Sequence, residues 1–371
     1  MIPVFEPEIG EEEIAAVTAA LRAGEISGSF GDNIPAFEAE FAGYVGARHG
    51  VAVTSGTNAL QLAVAALDLE PGDEVLVSAS TNIATALAAY HNNLVTVPVD
   101  SERETWNLDL DLLESLITER TRVVIPVHLF GHPVDMERLM EIARRHHLTV
   151  IEDCAESHGA TVRGRMTGTF GAMACFSFYA NKIITTGEGG MVVTADDELD
   201  ERLRLLRNLA FQKPRFYHEH AGFNFRMTGY QAAMGRAQLA KIDRFVETKR
   251  RIAQTYNELL ADVPGIVTPP EKEWARNVYW MYSVLVTDEY PLSRDELMAE
   301  LGREGIGTRT FFCPMNDQPA LRRHSRLRET DCPVAEELWR QGMYLPCSTS
   351  IADEEIETVV EAVKSAAVTR R

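Results

Sequence analysis

Cysteine is scarce in this chain of 371 residues: five, an odd number, at Cys154, Cys175, Cys313, Cys332 and Cys347, and never as a CxxC pair. That excludes a disulfide framework and a zinc ribbon, and it fits a reducing compartment. Long apolar runs are also missing; none approaches the ~20 residues that span a bilayer. The opening stretch MIPVFEPEIGEEE has neither the basic start nor the apolar core of a secretory signal, so a cytoplasmic location is expected. Positive charge is in deficit, with 36 Lys and Arg against 55 Asp and Glu, a net −19. Such a surface repels phosphate backbones and anionic bilayers, so neither nucleic acid nor membrane is an expected partner. A small anion in a local positive pocket stays compatible. Four common motifs are absent: GxGxxG after the first strand, GxxxxGK[ST], HExxH and GxSxG. His218 and His220 lie in a polar loop without clustered carboxylates, so no metal is expected.

At roughly 100–200 residues per domain, the length suggests two domains. From residue 50 onward, short apolar runs alternate with helical stretches. The runs are VAVT (51–54), EVLVS (74–78), LVTVPV (94–99), RVVIPV (122–127), LTVIED (148–153), ACFSF (174–178) and GMVVT (190–194). Runs without strict polar alternation suggest strands buried on both faces, and intervening helices suggest parallel crossovers. Ahead of them, Ile14, Val17 and Leu21 recur at helical spacing, as do Ile34, Phe37, Phe41 and Val45. A stretch of more than thirty residues, 228–260, reads as helix bridging two domains, with room for a break. Beyond it YWMYSVLV reads as a strand, SRDELMAELGREG as a helix capped by Ser293, and DEEIETVVEAVKS as a terminal helix. The expectation is a large α/β domain (1–245) with a mostly parallel seven-stranded sheet, and a small α+β domain (246–371).

Three local arrangements carry chemistry. Ser55-Gly56-Thr57-Asn58 follows a strand and opens a helix, where free N–H groups and the helix dipole suit a phosphate; plain N-capping is the alternative. Ile151-Glu152-Asp153 ends an apolar strand, the place where ligands bind in open α/β sheets. A carboxylate there suits a cationic ring nitrogen, or simply caps the next turn. Lys182 follows the strand FSF and precedes the loop IITTGEGG. A lysine in a partly apolar setting loses its proton more readily and can form a Schiff base; an ordinary surface lysine is the alternative. Taken together, a phosphate site, an acid and a lysine in this order suit pyridoxal 5′-phosphate.

At this point the sequence resembles the DegT/StrS family of sugar-nucleotide aminotransferases, nearly end to end. The matching stretches include TSGTNAL (54–60), ETWNLD (104–109), PVHLFGHPVDM (126–136), EDCAESHGA (152–160), GTFG (168–171), FSFYANKIITTGEGGMVVT (176–194), FNFRMTGYQAAMG (223–235), NVYWMYSVLV (277–286) and GIGTRTFFCPM (305–315). The resemblance implies the type I pyridoxal-phosphate aminotransferase fold and a homodimer with active sites at the interface. It implies Lys182 as the catalytic, cofactor-bearing lysine and Asp153 as the acid facing the ring nitrogen. It implies Glu156 near the ring's phenolic oxygen, and Gly56, Thr57 and Ser177 in the phosphate cup with Ser55 beside them. Asn224 would reach the cofactor of the neighbouring subunit, and His218, Arg309 and Phe311 would lie near the sugar nucleotide. Glu156 is frequent in the branch that aminates a GDP-linked 4-keto-6-deoxymannose with L-glutamate, and this branch is the nearest resemblance. Products of that branch enter surface polysaccharide such as O-antigen, or glycosylated natural products.

Several positions depart from the pattern. Asn82 stands where relatives carry an aromatic stacked on the cofactor, Ala180 where most have Gly, and Thr310 and Cys313 where Pro and Tyr are usual. These departures bear on the acceptor more than on the reaction. A UDP- or dTDP-linked keto-sugar is the alternative acceptor. The related sugar 3-dehydratases replace the lysine by histidine, so Lys182 argues against them. A regulatory relative without activity would be expected to lose Lys182 or Asp153, and both are present.

Overall fold

The computed structural model describes residues 1–28, 30–323 and 325–368. All seven apolar runs are strands of one sheet: β1 (His49–Val53), β2 (Glu74–Ser78), β3 (Val95–Val99), β4 (Thr121–Ile125), β5 (Thr149–Asp153), β6 (Met173–Ser177) and β7 (Gly190–Thr194). Their order across the sheet is β1-β7-β6-β5-β4-β2-β3. Only β7 runs antiparallel to its neighbours. Both faces of this sheet are covered, which explains why its strands show no polar alternation. Val75, Val77, Val123, Ile125 and Ile151 belong to one apolar cluster. Their chain neighbours Leu76, Val124 and Val150 belong to another, on the opposite face.

The same alternation separates the two carboxylates of β5. Asp153 shares the parity of Ile151, and Glu152 that of Val150. Glu152 is fully buried and holds the GTFG loop: its carboxylate accepts N–H bonds from Gly168 (2.7 Å), Phe170 (2.7 Å) and Gly171 (2.8 Å). His128 Nδ1 accepts the Val134 N–H at 3.1 Å, which leaves Nε2 to donate to Glu152 at 3.3 Å. Cys154 lies close to these two, but their polar atoms are already engaged with each other and the backbone.

The helical stretch 228–260 is two helices, Gly229–Leu239 and Ile242–Leu260, interrupted at 240–241. Beyond it a second, antiparallel sheet forms from β8 (Ile266–Val267), β9 (Tyr282–Val286), β10 (Arg309–Thr310) and β11 (Gly342–Leu345), in the order β8-β9-β11-β10. Ser293 caps the helix Arg294–Arg303, and Asp353–Val368 is the terminal helix. The first residues of the chain attach to this C-terminal unit. Ile2 exchanges bonds with Gly305 and Gly307, and Cys347 N–H donates to Val4 at 3.1 Å.

Helices α1 (Glu11–Arg22) and α2 (Asn33–Val45) form as their spacing predicts, yet Ile14 and Leu21 of α1 are 53% and 51% exposed. Val17 between them is half-buried, so part of this apolar face is left open in the single chain. No helix among the described residues is long and apolar enough to cross a membrane.

Glu152→Ala removes the acceptor for three backbone N–H groups and for His128. Buried donors left unpaired make this a cost on the order of 3–5 kcal/mol. Denaturant titration checks it; an unfolding midpoint equal to wild type would contradict the assignment of Glu152 to the fold.

Candidate active site

Parallel strands bring their carboxyl ends to one edge of the sheet, and the cavity opens there. Its volume is about 360 Å³, within the range of small-molecule sites. The large sheet contributes the floor, and residues of the small sheet and its approaches contribute the opposite wall. Among the residues singled out from sequence, Ser55, Gly56, Thr57, Asn82, Asp153, Glu156, Ser177, Lys182 and Arg309 all line it.

Ser55 follows β1 and caps α3 (Gly56–Ala66), its Oγ accepting the Asn58 N–H at 3.2 Å. The N–H groups of Gly56 and Thr57 belong to the first turn, which has no intrahelical acceptor. Capping and anion binding are therefore compatible here, since Ser55 answers a different donor. Gly56 packs on Ser177: a Cβ would lie 2.7 Å from Ser177 Cβ and 3.0 Å from its Oγ. Gly190, the first residue of β7, sits between Val53 and Ser177 in the sheet. A Cβ there would meet the Ser55 carbonyl oxygen at 2.4 Å, so this glycine of the GEGG loop serves the approach of the loop to β1.

Asp153 ends β5, 4% exposed. Its carboxylate accepts from Thr85 Oγ1 at 2.8 Å and from the Ala155 N–H at 3.1 Å. Burial raises its pKa, while the Thr85 bond, the Ala155 N–H and the Lys182 charge pull it down. Thr81 and Thr85 hydroxyls are 2.9 Å apart, extending the chain of bonds. Asn82 caps α4 (Ile83–His91): its side-chain oxygen accepts the Ala84 N–H at 3.0 Å. The residue that replaces an expected stacking aromatic is thus an exposed helix cap on the cavity wall.

Lys182 lies in the turn after β6 with its side chain 11% exposed, 3.9 Å from Glu156. Burial depresses the pKa of the lysine, against the attraction of Glu156 and Asp153. Burial raises Glu156 to about 7, opposed by the Lys182 charge and the Phe130 N–H, which donates to it at 2.8 Å. Phe130 adopts φ 55°, a left-handed backbone uncommon for a bulky residue, while its N–H serves Glu156. The Trp280 ring lies 3.8 Å from Lys182 Nζ, and its Nε1 donates to the Asn181 carbonyl at 2.7 Å.

Three expected residues lie elsewhere. Phe311 is 2% exposed and does not line the cavity: it packs against Trp106 and Phe130 from the large unit and Tyr344 from the small one, and its neighbour Phe312 lines the cavity instead. A one-residue step along an extended chain reverses the side chain, so Phe312 rather than Phe311 faces the cavity. His218 is exposed on the loop after Phe211, its Nδ1 2.9 Å from the Leu209 carbonyl oxygen. Asn224 is exposed as well, bridged to Asn208 and outside the cavity of its own chain. Conversely, sequence reading did not single out Thr85, Phe130, Trp280 or Tyr344 as site residues. Trp280 stood inside a quoted motif; Tyr344 had no local signal.

A buried lysine, a buried acid at a strand end and a small-residue cup at a helix N-terminus match the three polar ends of pyridoxal phosphate: aldehyde, ring nitrogen and phosphate. The fold and this cavity define an aminotransferase of the type I pyridoxal-phosphate class. The family model "DegT/DnrJ/EryC1/StrS aminotransferase family" matches residues 7–364, and the chain belongs to that family. It is 40% identical to GDP-perosamine synthase of Caulobacter vibrioides over 98% of this chain and 97% of that one. It is 39% identical to dTDP-3-amino-3,4,6-trideoxy-alpha-D-glucose transaminase of Streptomyces venezuelae, covering 98% and 95%. Among solved structures, S. venezuelae DesV in complex with a ketimine intermediate superimposes with a TM-score of 0.89 at 40% identity, covering 96% and 94%. The chain is a sugar aminotransferase dependent on pyridoxal phosphate.

Thr85→Val keeps the shape of the side chain and removes its bond to Asp153, so the acid protonates more readily. Affinity for pyridoxal phosphate is expected to fall about tenfold, equivalent to ~1.4 kcal/mol. Fluorescence titration of the apo-protein checks this, and an unchanged affinity would contradict it.

Proposed function

We propose that the chain transfers the amino group of L-glutamate to C4 of GDP-4-keto-6-deoxymannose, giving GDP-perosamine and 2-oxoglutarate. The observation that carries the reaction is the enclosed Lys182 amine between Glu156 and the Trp280 ring, with Asp153 in the same cavity. The acceptor rests on the 40% identity to a GDP-perosamine synthase across almost the whole of both chains. A dTDP-linked keto-sugar is the second reading, supported by the 39% identity to the dTDP-sugar transaminase.

In this reading Lys182 holds the cofactor's aldehyde, Asp153 its ring nitrogen, and Gly56, Thr57 and Ser177 its phosphate, with Ser55 bracing the helix start. Pyridoxal phosphate, once bound, supplies an electron sink for the carbon that loses its proton. Lys182 then moves that proton. Burial depresses its pKa, so the amine is available as a base nearer neutrality than a surface lysine. Glu156 stays close enough to return charge balance when the amine is protonated. The Trp280 ring covers the amine on the side of the small unit and keeps water from it. Amine donor and keto-sugar use the cavity in turn, so the enzyme works by alternating half-reactions.

A homodimer belongs to the same proposal. Its support is the apolar surface left open around α1, where Ile14 and Leu21 are joined by Ile26 at 59% and Phe30 at 72% exposure. Asn224 would then serve the partner's cofactor, and His218 the sugar nucleotide across the interface. Sedimentation at the 41.3 kDa of one chain would contradict it. A cytoplasmic setting fits five thiols that are all unpaired.

The test of the reaction is a single-turnover cycle. Glutamate should bleach the visible band of the cofactor-loaded enzyme, and GDP-4-keto-6-deoxymannose should restore it; Lys182→Ala should do neither. Restoration only by a dTDP- or UDP-linked keto-sugar would overturn the acceptor, and no bleaching by glutamate would overturn the donor.

A further inference from the structure

Arg309 and Tyr344 are direct partners across the β10–β11 ladder, and both line the cavity. Tyr344 is 4% exposed, and its hydroxyl has no hydrogen-bond partner among the described residues. Buried hydroxyls are ordinarily bonded, so this one awaits an acceptor. Its position is fixed from below, by the rings of Phe130 at 5.3 Å and Phe311 at 5.6 Å. Burial and the nearby Glu156 charge push the phenol well above its ordinary pKa, with Arg309 pulling the other way, so it remains a donor. The Arg309 guanidinium is exposed at the mouth and makes no hydrogen bond or ion pair with the side chain or backbone of any described residue. If Tyr344 were only core, phenylalanine would fill its place without an unpaired hydroxyl.

Two unsatisfied donors side by side, one charged and one neutral, call for an anionic oxygen pair. A guanidinium and a phenol suit the planar carboxylate. Their place decides whose anion it is. Tyr344 feels the charge of Glu156, and its ring lies 6.3 Å from that of Trp280, which covers Lys182. An anion held here sits beside the reacting amine. In an α-amino acid the carboxylate is one bond from the carbon that reacts. In the keto-sugar the diphosphate leaves C1, across the ring from C4. We propose that Arg309 and Tyr344 form the clamp for the α-carboxylate of the amino donor, with Phe311 positioning Tyr344 from beneath. The proposal rests on the glutamate reading above, and it moves Arg309 from the sugar nucleotide to the donor.

The test uses cofactor-loaded wild type, Tyr344→Phe and Arg309→Gln. The first variant keeps the ring, and the second changes an exposed side chain, so neither should disturb folding. Glutarate, a dicarboxylate that cannot transaminate, and GDP are each titrated against the quenching of tryptophan fluorescence. The glutamate concentration for half-maximal bleaching is measured in parallel. Expected is about a tenfold loss of glutarate affinity in each variant, a matching rise in the glutamate requirement, and GDP affinity within twofold of wild type. Unchanged glutarate binding overturns the clamp, and a loss confined to GDP overturns it in favour of the diphosphate. Wild-type enzyme that glutamate does not bleach would refute the donor reading alone, because the glutarate titration still decides the clamp.

Discussion

The site depends on keeping a lysine amine and a carboxylate together out of water. Desolvation penalises both charges, so the Lys182 pKa falls and that of Glu156 rises. Such a pair is stable only if the surroundings answer its remaining needs. Phe130 gives its N–H to Glu156, and Trp280 gives a π-face to Lys182. Trp280 comes from the approach to the second sheet, so the pair requires that unit to close over the large sheet. Lys249 of the helix Ile242–Leu260 fixes this arrangement: it is 1% exposed, and its amine donates to the carbonyls of Trp280 at 2.9 Å and Cys347 at 2.6 Å. The helix Ile242–Leu260 therefore holds the residue that covers the Lys182 amine.

Topology does the rest of the placement. Asp153 and Ser177 end parallel strands and Ser55 follows one, so three polar groups distant in sequence reach the same edge. Reversing β7 puts its first residue, Gly190, at that edge too, and the lysine loop returns beside the helix α3 start. Period-two alternation in β5 then gives adjacent carboxylates separate tasks: Glu152 binds the GTFG loop, and Asp153 faces the cavity.

Much of this was legible locally. Seven apolar runs marked seven strands because burial on both faces leaves no polar alternation to hide them. Lys182, Asp153 and the Ser55-Gly56-Thr57 turn could be read because strand ends and helix starts have their own signatures. Trp280 and Tyr344 reach the cavity only through packing between units, which no window of sequence contains. Phe311 shows the limit from the other side: its motif was recognisable, but whether it or Phe312 faces the cavity is decided by one residue of register. The apolar spacing of α1 correctly marked a helix, yet Ile14 and Leu21 on that face remain exposed.

Burial depresses the Lys182 pKa, and the Glu156 charge partly restores it. The most direct measurement is the pH dependence of the rate at which apo-protein takes up pyridoxal phosphate, for wild type and Glu156→Gln. The expected midpoint lies below 10.5, the ordinary lysine value, and shifts further down once the Glu156 charge is removed. A midpoint at the ordinary value, unmoved by the substitution, would contradict it.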